Sequence, residues 1–216
     1  MNRAALIFGG LLLLALPLSL LAGRVWINPF EISQMGPNAT LILMELRLPR
    51  GLLAIAIGGG LGAAGAAMQG YLRNPLADPG LFGIAPMAAL GAVASFWLGY
   101  SASYWALPAF ALSGAAIGMA LLALIAGRTG GIALFTLAGL MIASLAGALT
   151  ALAITLAPNP FALSEIVLWL NGALTDRSWR DVSIAAPLIA LGIVVLALAA
   201  KPLDALTLGE DTARSM

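Results

Sequence analysis

Long apolar runs separated by short polar breaks set the pattern of this chain. A helix that crosses a bilayer needs about 20 mostly apolar residues. Spans are predicted on that measure at residues 4–23, 51–71, 81–98, 107–126, 132–156 and 182–200. The first has Arg3 before it and Arg24 after it. Its apolar run exceeds the ~7–15 residues of a secretory signal, and Leu20-Leu21-Ala22 is a poor cleavage site, so it reads as an uncleaved span. No charge occurs between Asp78 and Arg128, a stretch too long for one crossing. The break is placed at residues 99–106, where Tyr100, Tyr104 and Trp105 suit an interfacial belt, and Pro108 fits the first turn of the next helix. Residues 127–131 form a tight turn. Residues 25–46 carry Asn28-Pro29, Glu31 and Gly36-Pro37, which predicts a loop with room for a short surface helix. Residues 158–181 make a second long loop, in which residues 166–170 suit a short helix at the surface.

The densest polar break is the string MQGYLRNPLADPGLFG at residues 68–83. Pro75 and Pro79 forbid a continuous helix and bias Asn74 and Asp78 toward extended geometry. Gly80 supplies backbone freedom where the next helix starts. On these residues alone the segment is a tight polar hairpin between membrane helices, and Asn74 or Asp78 would serve as helix caps. Upstream of it, Gly58, Gly62, Ala66 and Gly70 repeat a small residue every four positions. That spacing predicts a shallow groove where another backbone approaches closely.

Composition sharpens the picture. The chain is 62% hydrophobic and 9% charged, whereas soluble domains carry about 25% charged residues. Lipid is therefore its main solvent. It has no cysteine and no histidine. That removes disulfides, thiolate metal sites and the commonest general base. No Asp or Glu lies within the predicted spans, so an intramembrane aspartyl site or a proton relay has no residues to use. A net charge of +1 gives no reason to expect a nucleic-acid partner. No catalytic constellation, cofactor site or metal site is legible.

Taken with LRLPR at residues 46–50 and ALGAV at residues 89–93, the 68–83 string resembles the signature of the FecCD-type permeases. These are the membrane subunits of bacterial ABC importers for iron-siderophore complexes, haem and vitamin B12. The resemblance implies an all-α, polytopic membrane helix bundle of about six spans, the N-terminal part of a roughly ten-helix permease fold. In similar permeases, arginines at the positions of Arg47 and Arg50 meet glutamates of a soluble substrate-binding protein. Guanidinium suits that pairing; interfacial anchoring by snorkelling is the alternative. Asn74 and Leu76 match positions that narrow the cytoplasmic end of the pathway, with Pro75, Asp78, Pro79 and Gly80 as the signature turn. A second constriction, often built from hydroxyl residues, falls here on Ile132 and Ala133, a departure from the family pattern.

The tail, residues 203–216, resembles the coupling segment that sits in a cleft of the ATPase. It matches through Leu208, Gly209, Glu210, Ala213 and Arg214. Thr207 and Glu210 have the form of a capping box, and Asp211 follows in the first turn. Basic residues divide equally between the two faces of the six-span topology, so charge leaves the orientation open; the resemblance places the N-terminus in the cytoplasm. The expected partners are an ABC ATPase, a periplasmic or lipid-anchored binding protein, a second permease copy and membrane lipid. The expected location is the bacterial inner membrane. Because relatives continue past the coupling segment, the chain is expected to be a truncated or split permease. An autonomous six-span channel or membrane scaffold without an ATPase is the other reading.

Overall fold

Every regular element among the described residues is helical. The computed structural model describes residues 3–23, 26–29, 37–100, 103–127, 131–175 and 177–207. In order these form α1 (Arg3–Leu21), α2 (Pro37–Leu41), a π-helical turn (Ile42–Arg47), α3 (Leu48–Leu72), a 3-10 turn (Pro79–Phe82), α4 (Ile84–Trp97), α5 (Ala106–Ala126), α6 (Ile132–Thr155), α7 (Pro160–Leu170), α8 (Trp179–Leu198) and α9 (Ala200–Thr207). Five helices among the described residues are long and apolar enough to cross a membrane: Arg3–Leu21, Asn38–Leu72, Ala106–Ala126, Ile132–Thr155 and Trp179–Leu198.

Two of the sequence boundaries move. Residues 37–46, expected in a loop, are helical and run without interruption into α3. Pro49 opposes that continuity, because its ring clashes with the carbonyl four residues back and it lacks an N–H. The π turn widens the helix just before it, and the Leu48 amide reaches back five residues to the Leu43 carbonyl. In that register the acceptor facing Pro49 is Met44, which Pro49 cannot serve. The Trp179 indole N–H serves it instead, at 2.9 Å. The span expected at 81–98 is likewise split. Its start is the 3-10 turn, which ends at Gly83 with φ 78°. The helix that follows has 14 residues, about 21 Å of rise.

The chain folds as two compact units. The first comprises Met1–Ala63 and Leu174–Leu198. Packing here is sparse: Gly51 faces the Leu16 side chain, and Gly60 faces Ile189 closely enough that an added Cβ would lie 2.9 Å from it. Neither α1 nor α8 buries a residue fully. Ser178 and Asp181 cap the start of α8, with the Ser178 amide and hydroxyl both donating to the Asp181 carboxylate at 2.9 and 3.1 Å.

The second unit comprises Ala64–Ala173 and Ala199–Met216. Its axis is the crossing of α4 and α5. Gly114, Gly118, Leu122 and Ala126 line the buried face of α5 at four-residue spacing; Gly91 of α4 meets Gly114, and Met87 meets Gly118. Phe82, Met87, Leu122, Ala138, Ile142 and Ala146 form one apolar cluster, joined by Leu72 and Ala77. Val93, Phe96 and Ile166 form another. The second cluster corrects the expectation of a surface helix at 166–170: α7 inserts Ile166, fully buried, against α4. Asn159 starts that helix by accepting from the Ala162 amide at 2.8 Å.

Candidate functional site

The signature turn is built by its own side chains. At the end of α3 the Arg73 and Asn74 amides close back onto the Gly70 and Gln69 carbonyls. Pro75 then ends the helix. The Asn74 Oδ1 accepts from the Leu76 amide at 2.9 Å, so Asn74 bridges its own proline turn and caps no helix. Asp78 caps the 3-10 turn, its carboxylate accepting from the Gly80 amide at 2.6 Å with Pro79 at the first position. Ala77 and Phe82 are buried on either side of this polar stretch. Phe82 and Tyr71 both contact Phe135 of α6, each with ring centroids 5.3 Å apart. Two apolar anchors therefore hold a polar loop whose tip, Leu76, is 84% exposed.

Two backbone positions make this geometry demanding. Gly83 has φ 78°, and a Cβ there would lie 2.6 Å from the Ile142 side chain, so only glycine fits. Arg73 has φ 51° and is the one non-glycine residue with positive φ among those described. A left-handed backbone costs an ordinary residue about 1–2 kcal/mol. The Arg73 side chain reaches out of the turn, and its Nε donates to the Leu206 carbonyl of α9 at 2.9 Å.

Arg47 and Arg50 belong to the first unit and differ from each other. Arg47 closes the π turn and is 8% exposed. Its Nη1 donates to the carbonyls of Leu20 and Leu21, both at 2.8 Å. Those carbonyls end α1, where no intrahelical donor is left for them and the helix dipole favours a cation. Gly23 leaves room for the guanidinium, since a Cβ there would lie 2.6 Å from it. Arg47, expected from the resemblance to meet a partner glutamate, is turned onto the end of α1 in this chain. Arg50 is half-buried, and among the described residues its Nε has no hydrogen-bond partner.

The other candidates divide similarly. The stripe at Gly58, Gly62, Ala66 and Gly70 was expected to receive a neighbouring backbone. Among the described residues, nothing lies within 4 Å of a Cβ added at Gly58 or Gly62. Close approach happens at Gly91, Gly114 and Gly118, and the Gly114-to-Gly118 spacing was a signal of the same kind. At the start of α6, Ile132 is half-buried and Ala133 exposed. A hydroxyl does occur one turn on: Thr136 donates to the Ile132 carbonyl at 2.9 Å. Leu208, Gly209, Glu210, Ala213 and Arg214 lie outside the described residues. Among the described residues no cluster of His, Cys, Asp and Glu could hold a metal ion.

Comparison with known proteins gives these features a context. The family model described as the FecCD transport family matches residues 11–216. The vitamin B12 import system permease protein BtuC from several Escherichia coli strains is 34% identical over 207 residues, covering 95% of this chain and 62% of the relative. The chain thus spans about 62% of the length of those curated relatives. A solved structure of a metal-chelate type ABC transporter in an inward-facing conformation superposes with a TM-score of 0.86 at 26% identity, covering 99% of this chain and 68% of the solved one.

Proposed function

The chain belongs to the FecCD transport family, and from that membership we propose that it is a transmembrane permease subunit of an ATP-driven importer. The cargo class is an iron chelate, haem or a corrinoid. Two permease copies form the pathway between them, in a bacterial cytoplasmic membrane with the N-terminus inside. The permease itself catalyses nothing: ATP is hydrolysed on a separate subunit, which residues 203–216 engage through Leu208, Gly209, Glu210, Ala213 and Arg214. The observation that carries this reading is the family match along residues 11–216, which includes the whole signature turn.

Within that reading, Asn74 and Leu76 narrow the cytoplasmic end of the pathway. The exposed Leu76 side chain at the tip of a turn anchored by Ala77 and Phe82 supports the assignment. A bulky apolar group on a fixed loop blocks a large solute until its support moves. Docking of the substrate-binding protein falls first to Arg50. A partner carboxylate that also engages Arg47 has to compete with the two α1 carbonyls it already serves.

The test is reconstitution. The chain, co-expressed with an ABC ATPase and a binding protein, is expected to co-purify with the ATPase. Vesicles carrying the complex are expected to take up radiolabelled cobalamin or a ferric siderophore only with ATP inside the ATPase-facing compartment. Replacing Glu210 and Arg214 with alanine should abolish ATPase co-purification. Uptake by the purified chain with no ATPase present would overturn the proposal in favour of a channel.

A further inference from the structure

Arg73 is an unusual residue to find where it is. Its backbone is left-handed, at φ 51°, a conformation that glycine and asparagine adopt far more readily. It also precedes an Asn-Pro pair that would complete a turn without any contribution from its side chain. What arginine adds is reach. The Nε–H donates to the Leu206 carbonyl at 2.9 Å, across 133 positions of sequence. Leu206 is carried by α9, and a guanidinium on its carbonyl gives a charge-assisted bond. The left-handed backbone turns the chain sharply just after Leu72.

We infer that Arg73 is a positioning residue that fastens the signature turn to α9, so that displacement of α9 is carried to Asn74 and Leu76. Of the described residues, 199–207 cluster with the unit that contains the turn, while α8 clusters with the other. The chain therefore changes unit between Leu198 and Ala199, and the Arg73 bond is made on the far side of that change. α9 is described as far as Thr207, directly before the residues proposed to engage the ATPase, and the transmission role rests on that proposal. The tie itself does not.

The absence of cysteine makes the tie directly measurable. Spin labels are placed at Leu76→Cys and Lys201→Cys, both exposed, in the full chain in lipid nanodiscs. Arg73→Gly keeps the left-handed backbone but removes the side chain; Arg73→Asn, which also tolerates that backbone, repeats the test should the glycine variant fold poorly. Both are expected to broaden the label–label distance distribution, and Arg73→Lys to restore it in part. An unchanged distribution in the glycine and asparagine variants overturns the tie, whether or not an ATPase ever binds. In the complete transporter, the same variants should raise ATP hydrolysed per solute imported by about fivefold while ATPase co-purification is kept. An unchanged ratio overturns the transmission role. Failure of the unaltered chain to bind any ATPase sinks the importer reading and leaves the distance measurement standing.

Discussion

Gly91 of α4 and Gly114 of α5 face each other so closely that a methyl on either would fall on the other helix's backbone. A Cβ on Gly91 would strike the Phe110 carbonyl, and one on Gly114 the Met87 carbonyl. In lipid there is little hydrophobic drive to pair helices, so close backbone packing supplies much of the association. Overpacking commonly costs about 1–3 kcal/mol, and backbone cannot rotate away as a side chain can. Gly91→Ala and Gly114→Ala are each expected to lower thermal stability in detergent by an amount at the upper end of that range. Gly192→Ala on α8 meets nothing within 4 Å among the described residues and is expected to be neutral or to stabilise by about 0.5–1 kcal/mol.

Ser95 sends the opposite signal. Its side chain is 0% exposed, and its hydroxyl has no hydrogen-bond partner among the described residues. A buried polar group left unpaired carries a desolvation penalty of about 1–3 kcal/mol. Ser95→Ala removes the group and leaves almost the same volume, so the variant is expected to melt higher than the parent. A lower melting temperature would mean that the hydroxyl has a partner in the assembled protein.

The helical spans were legible because lipid imposes a length and a polarity on them. The boundaries that moved were set by particular residues. Pro49 looks like a helix stop, and nothing local announces that a π turn in front of it and a tryptophan 130 positions later would let the helix continue. Gly58 and Gly62 carry the same four-residue spacing as Gly114 and Gly118, yet among the described residues the second pair meets a helix and the first does not; spacing alone does not name the face that is covered. The turn at 74–80 was readable because Asn-Pro and Asp-Pro act on their own backbone. Arg47 and Arg73 were not, since each serves backbone carbonyls of a helix that its own segment does not adjoin.

Trp179 tests the account of that continued helix. Its indole N–H is the donor that Pro49 cannot provide to the Met44 carbonyl. Trp179→Phe keeps most of the ring and removes the donor. With the carbonyl left unpaired, the loss is expected to be about 1–3 kcal/mol, seen as faster amide exchange in residues 42–48. Restoring an N–H by Pro49→Ala in the same background should recover much of it, because the helix can then close its own ladder. Exchange that is unaffected in the single variant would remove the indole from the explanation.

Arg47 and Arg50 sit three residues apart, but charge reversal should separate them. Arg50→Glu is expected to weaken association with the binding protein by about tenfold at low ionic strength. The effect should shrink as salt rises, because the long-range attraction between charges that water reaches is screened beyond about 8–10 Å. Arg47→Glu places a carboxylate against the Leu20 and Leu21 carbonyls that the guanidinium now serves. The end of α1 then loses charge-assisted bonds worth about 1.5–3 kcal/mol each and gains a repulsion. Its main effect should therefore be a lower melting temperature and faster exchange in the last turn of α1, with little dependence on salt. Equal, salt-sensitive docking losses in both variants, with no change in melting, would show that Arg47 leaves α1 to face the partner.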